Sequence, residues 1–296
     1  VQSSKVLAGT DKLLETLCGL QFEISPHSFF QTNTAQAGRL YEIAVQAAAE
    51  VVGAGTGGGE GASDMAAAAG DSSSSSSSSS KTAVSSLEPG DGHQGEGIIS
   101  GDSGVVLDLY CGTGTIALCL AAALPGRQVV GFDVSSAAIA DARANADRNG
   151  ISNVDFVRGD LNQLLPSSQG SLRPIKQSSR QQEGPRGKHK PRNEPDAAAD
   201  QHSEQPGGQS LQSLRPSVVV VDPARAGLGQ GVVQYLLRCG ASRVVYVSCN
   251  AATQARDLQL LCSSGEFKLA SWVCVDLFPQ TDVAHVETVV VLDRVI

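Results

Sequence analysis

The chain has seven cysteines, an odd number, and no two of them stand in a C-x-x-C pair. That spacing indicates neither a disulfide framework nor a structural zinc site, calls for no metal, and makes a reducing compartment the natural expectation. The sequence also lacks any apolar run long enough to cross a bilayer, and no secretory signal stands at Val1. Positive charge is scarce: 22 Lys+Arg against 30 Asp+Glu leave a formal charge of −8 at pH 7. Indiscriminate attraction to nucleic acid is therefore not expected, although a local basic groove is compatible with that balance. A start at Val1 instead of Met points to further sequence upstream.

Large apolar residues are sparse in two whole stretches. Residues 51–100 are rich in Gly, Ser, Ala and Asp, and Ser73 to Ser80 are all serine. Residues 166–215 repeat Pro, Gln, Ser and Arg. Neither stretch can bury enough apolar surface to offset the entropy of ordering, so both read as disordered insertions within one domain. Within the second, Arg173–Arg192 carries seven Lys/Arg against one Glu. It reads first as a solvated loop and second as a contact for an RNA backbone. The expected organisation is a remnant of an upstream lobe with a lead-in helix over 1–50, an insertion over 51–100, and a catalytic domain over 101–296 interrupted at 166–215.

What remains, about 200 residues, is enough for a single core. Val105–Leu109 reads as a short apolar strand, Thr115–Ala123 as a helix and Gln128–Phe132 as a second strand. Ser135 or Ser136 caps a helix running to about Asn149. Val154–Val157, Ser217–Val221 and Arg243–Val247 continue the strand series, and Thr253–Leu261 reads as a helix. Trp272–Leu277 and Val286–Leu292 form a terminal pair, expected to add an antiparallel edge. Apolar strands alternating with helices imply an α/β, doubly wound, mostly parallel Rossmann-like sheet, with its sites at the carboxyl ends of the strands.

The first chemistry-bearing segment is Asp108-Leu-Tyr-Cys-Gly-Thr-Gly-Thr-Ile-Ala117. It is a strand-to-helix turn in which Gly112 and Gly114 allow a ligand to approach the backbone. Asp133, at the end of the next strand, can accept hydrogen bonds from a ribose diol. Two cofactors fit the turn, a dinucleotide and S-adenosylmethionine. Asp108, ahead of the glycines, suits the ammonium of a sulfonium cofactor and offers nothing to a pyrophosphate. Asp160, in Val-Arg-Gly-Asp after the third strand, is placed either to contact an adenine amino group or to cap a helix.

The second segment is Asp222-Pro-Ala-Arg-Ala-Gly-Leu228, where an acid and the Arg225 guanidinium converge at a strand end. A local Asx turn at Asp222 is the plainer alternative. Cys249 follows the next strand in Val-Tyr-Val-Ser-Cys-Asn (245–250). A lone cysteine is more often a core residue, but the start of the following helix near the thiol is expected to favour thiolate. His285-Val-Glu287 sets two polar side chains on one face of a strand by period-two geometry. Glu287 is a candidate base or a salt-bridged edge carboxylate. His285 keeps a thiol hydrolase open as a lesser alternative.

Taken together and in order, four motifs resemble the S-adenosylmethionine-dependent RNA uracil-C5 methyltransferase family. They are Val-Leu-Asp-Leu-Tyr-Cys-Gly-Thr-Gly-Thr (106–115), Asp-Pro-Ala-Arg-Ala-Gly-Leu (222–228), Tyr-Val-Ser-Cys-Asn-Ala-Ala-Thr-Gln-Ala-Arg-Asp-Leu (246–258) and Asp-Leu-Phe-Pro-Gln-Thr-Asp-Val-Ala-His-Val-Glu (276–287). Ser-Pro-His-Ser-Phe-Phe-Gln-Thr-Asn (25–33) looks like the segment that precedes the catalytic domain in this family. The match covers 22–41 and 105–296, excluding 166–215. The resemblance implies that Gln31, Tyr110, Gly112, Gly114, Thr115, Asp133, Asp160 and Asp222 hold or border S-adenosylmethionine. It implies that Cys249 is the nucleophile and Glu287 the base, with Asp222 and Arg225 organising the uracil pocket. The implied substrate is RNA, with transfer RNA ahead of ribosomal RNA, and no membrane or obligate protein partner is implied. This sequence departs from the family pattern at Ala224, where a second proline is commoner, and at Thr115, where asparagine is common. It also carries the two insertions and shows no counterpart of the small amino-terminal RNA-binding β-barrel of many members.

Overall fold

The computed structural model describes residues 8–26, 28–54, 104–165, 211–282 and 285–295. The described chain opens with a hairpin, β1 (Leu13–Leu17) and β2 (Leu20–Ile24), followed by the long helix α1 (Thr34–Ala54). Strands and helices then alternate: β3 (Val105–Leu109), α2 (Thr115–Ala123), β4 (Val129–Asp133), α3 (Ser136–Arg148), β5 (Val154–Arg158) and the single turn α4 (Leu161–Leu164). After the second insertion come β6 (Pro216–Val221), α5 (Gln230–Arg238), β7 (Arg243–Ser248), α6 (Ala251–Ser263), β8 (Phe267–Asp276) and β9 (Val286–Arg294).

The seven later strands form one sheet in the order β5-β4-β3-β6-β7-β9-β8. From β5 to β7 neighbouring strands are parallel, and β9 pairs antiparallel with both β7 and β8. β6 (Pro-Ser-Val-Val-Val-Val) and β7 (Arg-Val-Val-Tyr-Val-Ser) are β-branched runs with apolar residues on both faces, as central parallel strands require. Val106, Val218 and Val220 pack under α1, α2 and α3 on one face. Leu107, Val219 and Val221 pack with α5 and α6 residues such as Val232, Leu236 and Leu261 on the other. The expected α/β, mostly parallel Rossmann-like sheet is what forms. The terminal pair is antiparallel as expected, and its second strand, β9, is inserted next to β7.

The amino-terminal segment belongs to the same core. Leu17, Phe22, Leu40 and Tyr41 are buried in the cluster that contains Val106 and Leu118. Ala44, Ala47 and Ala48 are buried, so α1 can lie close against its neighbours. The Arg243 guanidinium ties α1 to the sheet, donating to the Ala47 carbonyl at 2.7 Å and to Asp293 at 2.8 Å. The hairpin turns at Cys18 and Gly19, both left-handed (φ 52° and 76°), as a tight hairpin with the right-handed strand twist prefers. Asn145 on α3 accepts from the Glu23 amide at 2.7 Å and fixes β2 beside it.

The two low-complexity insertions and the basic stretch Arg173–Arg192 lie outside the described residues except at their margins. There the boundaries differ from expectation. α1 continues past residue 50 to Ala54, with Val52 buried, and Leu211–Ser213 form a 3-10 turn with Leu211 buried. Among the described residues no helix is long and apolar enough to cross a membrane.

Candidate active site

β3 ends in a tight loop. Tyr110 takes φ +70°, and its amide and that of Cys111 both donate to the Phe132 carbonyl (2.8 and 2.9 Å). Gly114 caps α2 at φ +82°, and a Cβ there would lie 2.8 Å from the Phe156 ring and 3.0 Å from Ala142. Gly114 is thus required by close packing as well as by its dihedral. Gly112 differs: at φ +54°, a Cβ would meet nothing within 4 Å. Its open side is the backbone approach that a bound nucleoside needs. Asp133 accepts from the Gly112 amide at 3.0 Å and from Ser135 at 2.8 Å. A carboxylate has about four acceptor sites, so two remain for a ribose diol. Thr115 shares a hydrogen bond with the buried Tyr41. Asp160 caps α4 by accepting from the Asn162 amide at 2.9 Å, the simpler of its two expected roles.

Asp108 stands near the end of β3 ahead of the glycines, as the sequence suggested. It is fully buried, and neither carboxyl oxygen has a hydrogen-bond partner of ordinary geometry among the described residues. Burial pushes it well above the usual carboxylate range and Asp222 pushes it further, with the nearby Ala117 amide opposing them in part.

The reactive groups gather at the carboxyl ends of β6 and β7. Ser248, the last residue of β7, pairs with Thr288 on antiparallel β9, so Cys249 and Glu287 are consecutive with that pair on adjacent strands. Asp222 follows β6, and its amide donates to the Leu109 carbonyl at 3.3 Å. Glu287 is only 2% exposed. His285 Nε2 lies 3.2 Å from Glu287 Oε1, and Gln31 Nε2 donates to the same oxygen at 3.5 Å. The expected shared face of His285 and Glu287 is observed. Gln31 meets Glu287 directly, held there because Asn33 donates to the Leu277 carbonyl at 2.7 Å.

Electrostatics couple the cluster. Burial and the Glu287 charge push Asp222 up to about 8. Burial also raises Glu287, while His285, Gln31 and Arg225 pull it back. The Cys249 thiol is raised by burial first and by Glu287 next, while a hydrogen bond from Arg225 pulls it down. The expectation that the α6 terminus favours thiolate is therefore corrected. The first free amides of α6 are already taken, because Asn250 Oδ1 accepts from Ala252 at 3.1 Å and Thr253 at 3.5 Å. The cation that favours the thiolate is Arg225.

Several supporting residues were not anticipated. The Arg225 carbonyl accepts from Asn250 Nδ2 at 3.1 Å and from the Thr253 hydroxyl at 3.0 Å, which joins the Asp222 loop to the Cys249 turn. Asp257, buried in α6, accepts from the Leu228 amide at 2.7 Å and the Tyr246 hydroxyl at 2.9 Å. Asn250 was legible as a cap directly after the strand. Asp257 was not, because its partners come from two other elements. Phe29, two residues before Gln31, is 76% exposed.

Comparison with known proteins joins the two halves of this site. Residues 100–172 match a methyltransferase domain, and residues 202–295 match the tRNA (Uracil-5-)-methyltransferase family. Over residues 202–295 the chain thus carries a tRNA (uracil-5-)-methyltransferase-like domain. The methyltransferase domain is of the S-adenosylmethionine-dependent type. Relatives include an uncharacterized RNA methyltransferase of Bacteroides thetaiotaomicron, 33% identical over 97% of this chain and 42% of its own length. Another, from Porphyromonas gingivalis, is 32% identical over 97% of this chain and 41% of its own length. The chain thus spans about two fifths of the relatives it matches. The fold is shared with the tRNA (uracil-54, C5)-methyltransferase of Pyrococcus abyssi, solved with S-adenosyl-L-homocysteine. That match has a TM-score of 0.55 and 24% identity, covering 99% of this chain and 48% of the other.

Proposed function

We propose that this chain is the catalytic part of an RNA methyltransferase that moves a methyl group from S-adenosylmethionine to C5 of a uridine, with transfer RNA as the substrate class. The observation that carries the reading is the grouping of Asp222, Arg225, Cys249 and Glu287 at the ends of β6, β7 and β9, with β6 directly beside the β3 end that leads into the open Gly112 turn. The name of the matched family and that of the Pyrococcus abyssi neighbour support uridine and transfer RNA.

The residues present fit the methyl donor. Gly112 leaves its backbone open and Asp133 keeps acceptor capacity for the ribose; Tyr110, Gly114 and Thr115 belong to the same turn, and Gln31 and Asp160 are the further residues assigned to the donor by resemblance to the family. The donor supplies an electrophilic methyl group on a sulfonium. Uracil C5 is a weak nucleophile, and the protein's task is to activate it. The Cys249 sulfur adds to C6 as thiolate, and the electron pair of the C5–C6 bond moves toward C5 and O4. Arg225 stabilises the thiolate before attack, and its fork can meet an imide oxygen as charge develops. After C5 is methylated, Glu287 removes the C5 proton and the C6–sulfur bond breaks, restoring the double bond and Cys249. The base must leave any stack to reach these groups, which favours a loop or an opened segment of RNA over intact duplex.

The test is methyl transfer by the full-length protein to a native RNA pool, with the modified position mapped. Product at uridine C5 that disappears in Cys249→Ala supports the reading. Unchanged C5 product in that variant rejects Cys249 as the nucleophile, and methylation at another base or atom rejects the assignment to uridine C5.

A further inference from the structure

Glu287 must discharge a proton in every turnover, yet it is almost wholly enclosed. Its side chain is 3% exposed, and burial already favours its protonated form. A carboxylic acid left in place would block the next cycle, so the proton needs a way out. Among the described residues two side chains hydrogen-bond to Glu287, those of Gln31 and His285. An amide cannot accept and pass on a proton at ordinary pH. An imidazole can, because it has two nitrogens and exchanges protons near neutrality.

His285 also has the access that Glu287 lacks. Its side chain is 26% exposed, its ring packs edge-on against Phe278 with centroids 5.9 Å apart, and its carbonyl accepts from the Leu277 amide at 3.1 Å. One ring nitrogen therefore meets the buried carboxyl while the ring retains a surface to water. The other charged groups around Glu287 do not offer this path. Asp222 and Cys249 feel the Glu287 charge without a hydrogen bond to it, Arg225 has no acceptor, and Tyr41 is itself buried.

We propose that His285 is the proton outlet of Glu287, a positioning and relay residue for the uridine C5 reaction on which this inference rests. Once Glu287 has taken the C5 proton it becomes the donor of this hydrogen bond, and His285, in the tautomer protonated at Nδ1, accepts the proton at Nε2 and restores the carboxylate. The imidazolium then loses its Nδ1 proton to water. Tautomer exchange through water, or rotation of the ring, presents a free nitrogen for the next cycle. No other group is consumed.

The experiment uses the full-length protein with RNA transcripts labelled with tritium at uridine C5, and a parallel transcript carrying 5-fluorouridine. His285→Gln is the decisive variant, because a glutamine can still donate to Glu287 but cannot relay a proton. Its C5 tritium release at saturating RNA should be slower by about a hundredfold, the lower end of what acid–base groups contribute. Its KM for RNA and its rate of covalent adduct formation with 5-fluorouridine RNA, which requires no C5 proton loss, should match the unsubstituted protein. Added imidazole should restore part of the tritium release in His285→Ala. A His285→Gln variant that keeps full turnover overturns the proposal. So does one whose 5-fluorouridine adduct forms more slowly in the same proportion, since that marks a structural role. An unsubstituted protein that methylates RNA without releasing C5 tritium overturns the uridine C5 reading, and this inference with it.

Discussion

The Thr288 hydroxyl lies 3.1 Å from the carbonyl of its cross-strand partner Ser248 and 2.7 Å from Gln254 Oε1. Gln254 in turn donates to the Tyr246 carbonyl at 3.0 Å. One buried hydroxyl thus braces the end of β7, the first turns of α6 and the start of β9. Cys249 follows Ser248, and Glu287 precedes Thr288. The separation between Cys249 and Glu287 is therefore set by this brace.

Replacing Thr288 with valine keeps the shape and removes the hydroxyl. It leaves the Gln254 oxygen buried without a donor, a loss of about 1–3 kcal/mol. Denaturant unfolding should show that loss, and turnover should fall with KM for RNA little changed, because the reacting pair shifts while the substrate surface does not.

Arg225 opposes the burial and negative charge that raise the Cys249 thiol. Arg225→Ala should therefore raise it further, so less thiolate is present at any given pH. The rate of alkylation of Cys249 by iodoacetamide, followed against pH, should move to the alkaline side. At neutral pH it should fall, because less of the thiol is ionised there.

Asp222 is pushed up to about 8 from an ordinary value of 3.8. The folded protein then holds this proton more tightly than the unfolded chain does. The stability contributed is fully present below pH 3.8 and is lost as pH rises through about 8. Asp222→Asn carries no such proton, so its Tm should decline less than that of the unsubstituted protein between pH 4 and pH 8. Parallel slopes across that window would contradict the elevated value.

Gly227 stands at φ +77°, and a Cβ there would be 2.5 Å from Asp257 Oδ2 and 2.8 Å from Arg256 Nη2. Gly227→Ala should destabilise by about 1–2 kcal/mol from the dihedral alone. The clash would also displace the Asp257 carboxylate from the Leu228 amide. Thermal unfolding measures the first effect, and loss of turnover with intact binding of S-adenosylmethionine would report displacement of the Asp222–Leu228 loop.

Phe29 is too exposed to contribute much to the core, and it lies two residues from Gln31. An exposed aromatic beside a base-extruding site suits stacking against an unpaired nucleotide. Phe29→Ala should weaken RNA binding by about 1–3 kcal/mol and leave both Tm and cofactor binding unchanged. RNA affinity equal to that of the unsubstituted protein would exclude stacking.

The strands of the parallel sheet were legible because their residues are unambiguous. Val105–Leu109 and Thr115–Ala123 form over the expected residues, and Pro216–Val221 and Arg243–Ser248 extend their expected spans by one residue. The amino-terminal hairpin was not legible. Leu13 and Leu14 stay exposed, so β1 shows no buried alternation, and the turn uses Cys18 where asparagine is the usual signal. The helix Gln230–Arg238 was also unassigned, since Gly229 and Gly231 bracket its start and obscure a strongly amphipathic run.

The sequence by itself determined the chemistry available: a thiol after one strand, a carboxylate two residues after a histidine, and a glycine turn followed by an acid at the next strand end. Local spacing is enough for that, because periodicity and turn chemistry act over a few residues. Only the tertiary structure decided which of these groups act on one another. Antiparallel β9 beside β7 brings residues 249 and 287 together across a long sequence separation. The same packing encloses Glu287, raises the thiol that a free helix terminus would have lowered, and buries the Asp108 carboxyl. Burial and charge depend on every neighbour at once, and those neighbours come from five separate stretches of the chain.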